Sequence, residues 1–233
     1  ETIIGALRYV LGRGGELAGK KVVISAGGTQ EPVDPVRYVG NYSSGKMGYA
    51  LAEAARDRGA DVALVSGAVS LPVPYAVRVV SVRRAAEMRD AIVAECAKAD
   101  VLIMAAAVAD YQPAEAIGQK IKRSRESLSL HLVRTPDILA EVGRRRGLVR
   151  VGFAAESEEL LANARRKLEE KDLELIVAND VTADGCGFGS DTNKVTIIDG
   201  QDTEELPLMP KYDVAARVLD RVAVLVKAQG SRR

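Results

Sequence analysis

The amino-acid sequence predicts a doubly wound α/β domain, a mostly parallel, Rossmann-like sheet with a small antiparallel flap or dimerisation element. Three observations carry the reading. Short continuous apolar runs, at 20–28, ending in two glycines, and at 101–108, have the pattern of strands buried on both faces. The segments between them carry apolar residues at three- and four-residue spacing, as amphipathic helices do. Strand and helix then alternate, so each crossover brings the chain back to the same sheet in a parallel sense.

Taken in order, residues 1–19 begin with Ile3, Ile4, Leu7, Val10 and Leu11 at helical spacing. The breaker Gly12-Arg13-Gly14-Gly15 follows, which reads as a helix and linker preceding the domain. The first strand, 20–28, leads through a long loop to a helix at 43–59. There Ser43 and Ser44 are candidate caps, Met47, Ala50, Leu51 and Ala54 share one face, and Gly59 is the stop. A second strand at 61–67 completes a β-α-β unit. The alternation continues with strand 77–82, helix 85–99, strand 101–108, a helix opened by Thr135-Pro136-Asp137, strand 149–155, helix 158–171 and strand 173–179. Two segments break the rhythm. In 120–133, Leu128, Leu130 and Leu132 recur at period two, the pattern of an antiparallel or edge element with one apolar face. Residues 194–199 and 204–208, joined by Gly200-Gln201-Asp202, predict a hairpin before the last helix at 212–228, and 229–233 read as a frayed tail. One domain over 20–228 results.

Composition narrows the function. Among 233 residues, 33 Lys+Arg against 32 Asp+Glu leave a formal charge of +1. That excludes broad attraction to nucleic acid, which depends on a basic excess. No run of about 18 apolar residues is present to span a membrane. Cys96 and Cys186 form no C-x-x-C pair, so neither a disulfide framework nor a cysteine zinc site follows, and a reducing, cytoplasmic setting is the natural one. With His131 as the single histidine, acid–base chemistry would fall to carboxylates, lysines or the substrate itself.

Open parallel sheets bind ligands beyond the carboxyl ends of their strands, so the strand-to-helix loops hold the candidates. The longest runs from Gly27-Gly28 to Tyr42 and delivers the chain to Ser43-Ser44-Gly45-Lys46 at a helix start, where unpaired N–H groups and a lysine suit a phosphate. The segment 40–46 satisfies G-x-x-x-x-G-K, but Met47 stands where a P-loop needs Ser or Thr, and Gly27-Gly28 is not followed by the dinucleotide G-x-x-G. In the second loop, Ala105, Ala106 and Ala107 let a flat ring or ribose approach the backbone. Asp110 is either a ligand carboxylate or a turn residue. Lys120 belongs either to a solvated basic edge or to a mobile flap closing over phosphates. Phe153 suits core packing or base stacking equally, and Lys167 with Lys171 is either a solvated i,i+4 stripe or a pair reaching a nucleotide.

The run at 25–48, Ser-Ala-Gly-Gly-Thr-Gln-Glu-Pro-Val-Asp-Pro-Val-Arg-Tyr-Val-Gly-Asn-Tyr-Ser-Ser-Gly-Lys-Met-Gly, resembles the signature of phosphopantothenoylcysteine synthetase. This is the C-terminal half of the bifunctional bacterial phosphopantothenoylcysteine decarboxylase/phosphopantothenate–cysteine ligase. Segments 106–111, 120–122, 135–138, 152–156, 178–181 and 187–191 follow in the family's order, so the resemblance covers about 18–228. Gln112 departs from an arginine common in the family. The resemblance implies that CTP activates the carboxylate of 4'-phosphopantothenate as an acyl-cytidylate, which L-cysteine attacks, releasing CMP. By position it assigns Asn41 to the activated acyl group with Arg37 in support, and Ser43, Ser44, Gly45 and Lys46 to phosphates. Asp110 would contact CTP or its Mg2+, Lys120 would close over the nucleotide and promote activation, and Gly28, Ala105, Ala106, Ala107, Phe153, Lys167 and Lys171 would line the nucleotide site. It further implies a homodimer, for which the apolar Leu128, Leu130, Leu132 face of 120–133 offers either an interface element or a surface packed within the monomer, and an FMN-dependent decarboxylase domain to which residues 1–19 form the junction. The competing readings are a regulatory domain that binds nucleotide without turnover and a short-chain-dehydrogenase-like oxidoreductase. The latter is disfavoured by the missing G-x-x-x-G-x-G loop and Tyr-x-x-x-Lys pair.

Overall fold

A computed structural model describes residues 2–122, 127–156, 159–180, 185–187 and 189–230. In chain order the elements are α1 (Thr2–Gly12), β1 (Lys21–Ala26), β2 (Gln30–Pro32), β3 (Tyr38–Gly40), α2 (Lys46–Arg56), β4 (Asp61–Ser66), β5 (Arg78–Ser81) and α3 (Ala85–Cys96). They continue with β6 (Val101–Met104), β7 (Tyr111–Pro113), β8 (Leu132–Arg134), α4 (Ile138–Val142), β9 (Val149–Glu156), α5 (Leu160–Glu170) and β10 (Leu175–Asp180). The last are β11 (Thr192–Asn193), β12 (Val195–Ile198), β13 (Thr203–Glu205), β14 (Met209–Pro210) and α6 (Lys211–Gly230).

Eight strands form the central sheet in the order β13-β12-β10-β9-β6-β1-β4-β5. The six from β5 to β10 are parallel, and β12 and β13 add an antiparallel edge. The predicted fold class is the one observed. Successive residues of a strand point to opposite faces, so each strand feeds two cores. Val22 and Ile24 pack with Leu51 of α2 and Val218 and Val222 of α6, whereas Val23 packs with Met88 and Ile92 of α3. Beneath β9 and β10, Ala164 and Leu168 of α5 cover Ile176 and Ala178. Leu17 is fully buried in the α2/α6 core, ahead of the first strand.

Local signals account for several elements. Asp137 caps α4, its Oδ1 accepting from Ala140 N at 3.1 Å. The β12–β13 hairpin turns on Asp199, whose Oδ1 accepts from Gln201 N at 2.8 Å and Asp202 N at 2.7 Å. Other expectations need correction. Ser43 and Ser44 precede α2 and neither is its N-cap residue, which is Gly45, in the left-handed region with φ 77°; Ser44 Oγ accepts from Lys46 N only at 3.5 Å. The strand expected over 101–108 ends at Met104, because Ala105–Ala107 leave the ladder to meet the loop after β1. Among the described residues of 120–133 only Leu132 and Val133 are strand, the first two of β8, which pairs with β7; residues 123–126 lie outside those described. Gln229 and Gly230, expected in the tail, are the last turn of α6, while 231–233 lie outside the described residues. Cys96 and Cys186 are both buried, and no disulfide joins them.

The approach of α2 to β1 is set by Gly48, where an added Cβ would lie 2.5 Å from Ala26 Cβ and 2.9 Å from Ser25 O. Alanine is the better helix former by about 1 kcal/mol. Gly48→Ala is nonetheless expected to destabilise the protein by about 1–3 kcal/mol, the usual cost of overpacking, read from the denaturation midpoint.

Candidate nucleotide-binding active site

The strand order reverses direction between β1 and β6: from β1 the chain moves outward to β4 and β5, then returns to place β6 on the other side of β1. Adjacent loops part at such a switch point and leave a crevice above the carboxyl ends. Here the crevice floor is laced together. Ala107 N donates to Gly27 O at 2.9 Å and Ala107 O accepts from Thr29 N at 3.3 Å. Ala106 N donates to Ser25 Oγ at 3.1 Å, and Ala109 N donates to Thr29 Oγ1 at 2.9 Å. Above this floor Asn41 spans the two loops, its Nδ2 donating to Ala107 O and Val108 O, each at 3.3 Å. Glycine is required beneath it, since a Cβ on Gly28 would lie 2.9 Å from Asn41 O.

The long first loop is a structured hairpin, β2 against β3. Its turn is built by Asp34, a buried carboxylate whose Oδ1 accepts from Val36 N and Arg37 N, both at 2.8 Å. Arg37 Nη2 lies 2.6 Å from Asp34 Oδ2, and the same nitrogen donates to Ile121 O at 2.7 Å. Burial pushes the Asp34 carboxyl up, but the amides of Val36, Ile121 and Arg37 and the Arg37 guanidinium outweigh it and hold the acid well below the usual carboxylate range. Glu31 is also fully buried, and its Oε1 accepts Ala85 N at 2.8 Å, serving the first turn of α3 from the loop.

A concavity lies between this hairpin and the start of α2, lined by Gly28, Thr29, Asn41, Ser43, Ser44 and Gly189 among others. The N-cap Gly45 offers no side chain, Ser44 Oγ accepts only weakly from Lys46 N at 3.5 Å, and the positive end of the α2 dipole lies beside this space. Lys46 donates to Gly189 O and to Asp191 Oδ1, both at 2.7 Å. That hydrogen bond holds the exposed Asp191 carboxyl below its ordinary value. Beside it the buried Lys211, first residue of α6, donates to Ser190 O, and burial with the nearby Lys46 charge lowers its ammonium below its ordinary value.

On the far side of the crevice, Phe153 is half-buried, packed in part on the α2/α6 core, and its carbonyl accepts from Lys167 Nζ at 3.0 Å. Lys171 pairs with Asp137, the cap of α4. Burial raises the Asp137 carboxyl, and the bonds from Lys171 and Ala140 overcome this and lower it. Thr135 Oγ1 donates to Ala109 O at 2.6 Å, anchoring this segment to the second loop.

The structure thus brings Gly28, Asn41, Ser43, Ser44, Gly45 and Ala105–Ala107 together around the switch point. Arg37 is drawn beside the 120–122 segment, and Lys167 beside Phe153. Lys120 and Asp110 are exposed, with no polar partner for either side chain among the described residues. Sequence reasoning passed over Thr29, Asp34, Asp137 and Asp191 as site residues. Asp34-Pro35-Val36-Arg37 carried a turn signal and Thr135-Pro136-Asp137 a cap signal, but the partners these acids hold come from distant segments. The assembly offers N–H groups, an amide and cations, and its chemistry is charge stabilisation and positioning.

Comparison with known proteins fits this geometry. The chain is 49% identical over 220 residues to the coenzyme A biosynthesis bifunctional protein CoaBC of Bacillus subtilis (strain 168), covering 93% of this chain and 54% of that one. Against CoaBC of Vibrio vulnificus (strain CMCP6) it is 45% identical over 214 residues, covering 90% and 53%. The chain therefore spans about half the length of these curated relatives. A crystal structure of the C-terminal domain of CoaBC superposes with a TM-score of 0.78 at 38% identity, covering 91% of this chain and 98% of that one. A family model for the DNA/pantothenate metabolism flavoprotein C-terminal domain matches residues 17–225, and the chain belongs to that family.

Proposed function

We propose that this chain is the ligase half of a coenzyme A biosynthesis protein, joining 4'-phosphopantothenate to L-cysteine at the expense of CTP. The observation that carries the reading is Asn41: an amide stretched across the two loops of the switch point, directly above glycine and alanine backbone and beside the start of α2. The relatives named above, called coenzyme A biosynthesis proteins, supply the substrate class.

In this reading the triphosphate lies over the first turn of α2, against Ser43, Ser44, Gly45 and Lys46, while Phe153, Lys167 and Lys171 bound the base and ribose. The substrate carboxylate attacks the α-phosphorus, pyrophosphate leaves, and the cysteine amine displaces CMP from the acyl-cytidylate. Asn41 holds the acyl oxygen as charge develops there, and Lys120 neutralises the nucleotide during activation. No group of three or more His, Cys, Asp or Glu able to hold a metal occurs among the described residues. Magnesium is commonly bound by one or two carboxylates together with substrate phosphates. The exposed Asp110 at the end of the second loop fits that pattern, as the carboxylate that would hold a Mg2+ neutralising the triphosphate.

The reading extends to a cytoplasmic homodimer and to an FMN-bearing decarboxylase half in the full-length protein. The dimer is supported by β8, one edge of which is taken by β7, and by Leu128, Leu130, Leu132 and Val133, which are exposed. None of the helices described is long and apolar enough to cross a membrane.

Incubation with CTP, Mg2+ and 4'-phosphopantothenate is expected to release pyrophosphate without cysteine, and CMP only once cysteine is added; no pyrophosphate under either condition rejects the ligase. Asn41→Asp sets a carboxylate against two carbonyl oxygens. It is expected to slow CMP release about 100-fold or more and cytidylate formation less than about tenfold. Equal loss of both steps counts against Asn41 as the acyl-holding group. Leu130→Asp is expected to move the chain from dimer to monomer in sedimentation equilibrium; a wild-type monomer at high concentration removes the dimer from the proposal.

A further inference from the structure

Asp34 does more than a turn requires. Its Oδ1 alone satisfies the Val36 and Arg37 amides that close the hairpin turn. Its second oxygen, Oδ2, accepts from Arg37 Nε at 3.0 Å and from Ile121 N at 3.1 Å, across 87 positions of chain. Arg37 completes the grip by donating to Ile121 O at 2.7 Å. Both polar main-chain atoms of Ile121 are therefore held by the first loop. A further tie, Ile117 N to Val33 O at 2.9 Å, keeps the approach to it in register. The Asp34 side chain is fully inaccessible. An ionised carboxylate in that position is tolerated only when its lone pairs are filled, so the Ile121 N–H is part of what stabilises it. The peptide it holds is the one joining Lys120 to Ile121, next to the Cα that carries the exposed Lys120 side chain.

We propose that Asp34 is a positioning residue: through the Ile121 peptide it fixes where Lys120 presents its ammonium to the nucleotide. This rests on the reading of Lys120 as an activating group. Arg37 then has two duties, since the guanidinium assigned to the acyl substrate also closes the clamp.

Asp34→Asn separates the turn from the clamp. The amide keeps Oδ1 for Val36 and Arg37, but its Nδ2 meets the Ile121 N–H and the Arg37 guanidinium donor to donor. Hydrogen exchange is expected to show protection of the Ile121 amide lost by about tenfold or more, with the β1 and β6 amides unchanged. Pyrophosphate release is expected to slow about 10- to 100-fold, with the KM for CTP within about threefold. The loss is expected to vanish on a Lys120→Ala background, the double variant matching Lys120→Ala within about twofold. Ile121→Pro deletes the donor while leaving Asp34 intact, and is expected to reproduce the D34N rate and the same dependence on Lys120. Unchanged Ile121 protection in D34N overturns the clamp. Additive losses in the double variant overturn action through Lys120. A Lys120→Ala enzyme that releases pyrophosphate at the wild-type rate instead overturns the role of Lys120, an outcome separable because the exchange measurement reads the clamp independently.

Discussion

The candidate site depends on a single backbone crossing. For the loop after β1 to be held, β6 must leave the sheet at Met104, so that Ala105–Ala107 can turn toward Gly27 and Gly28. Ala107 is the node: its N–H goes to Gly27 O, and its carbonyl accepts both Thr29 N and Asn41 Nδ2. Side chains of any size would keep these strands of backbone apart, which is the physical reason for three consecutive alanines facing two glycines. Gly28 would strike Asn41 O, and Gly67 would strike Gly28 O at 2.4 Å, if either carried a Cβ. The small residues are thus a condition for placing an amide over the crevice, ahead of any role in admitting a ring or ribose.

The near-zero net charge reflects how the cations are deployed. Lys46 is held by Asp191, Lys171 by Asp137 and Arg37 by Asp34. The first two pairs are partly exposed, and pairs of that kind contribute about 0–1 kcal/mol. In the proposed reading, an incoming phosphate would displace Asp191 from Lys46 at small cost, exchanging one anion for another. The Arg37–Asp34 pair differs, because its carboxylate is buried and carries backbone donors as well. Breaking that pair would strand a charge away from water, which is far more expensive. The same residue types therefore make a replaceable contact at one end of the crevice and a fixed one at the other.

What the sequence disclosed follows from the range of each interaction. The alternation of strand and helix, the two-sided burial of β1, the Asp137 cap and the hairpin around Gly200-Gln201-Asp202 arise from periodicity or from partners a few positions away, and all are legible. The Ser43-Ser44 cap was misread because Gly45, with its left-handed backbone, takes the N-cap and leaves the serines at the rim of the concavity. The strand at 101–108 was read too long because apolarity marks burial, and the alanines beyond Met104 are half-buried for another reason, the crossing to Gly27. Asp34, Glu31 and Asp191 carry no local signal for their roles, because their partners are Ile121, Ala85 and Lys46, at separations of 87, 54 and 145 positions. No local pattern encodes such contacts.

Glu31 shows how the distant contacts join into one support. The residue before α3 is Arg84, which lacks the short oxygen-bearing side chain that a local cap requires. Glu31 supplies the acceptor from the first loop, and Gln30 N donates to Arg83 O at 2.8 Å beside it. The hairpin is consequently fastened to α3 at Glu31, to the second loop at Thr29 and Asn41, and to the Lys120 segment at Asp34. The Glu31 attachment satisfies an N–H at a helix end, and the Asp34 attachment fills a lone pair of a buried carboxylate. A loop of this length would ordinarily cost order to hold in one geometry. Here that order comes from three neighbouring segments, which is how an irregular stretch can hold the Asn41 amide in one place over the crevice.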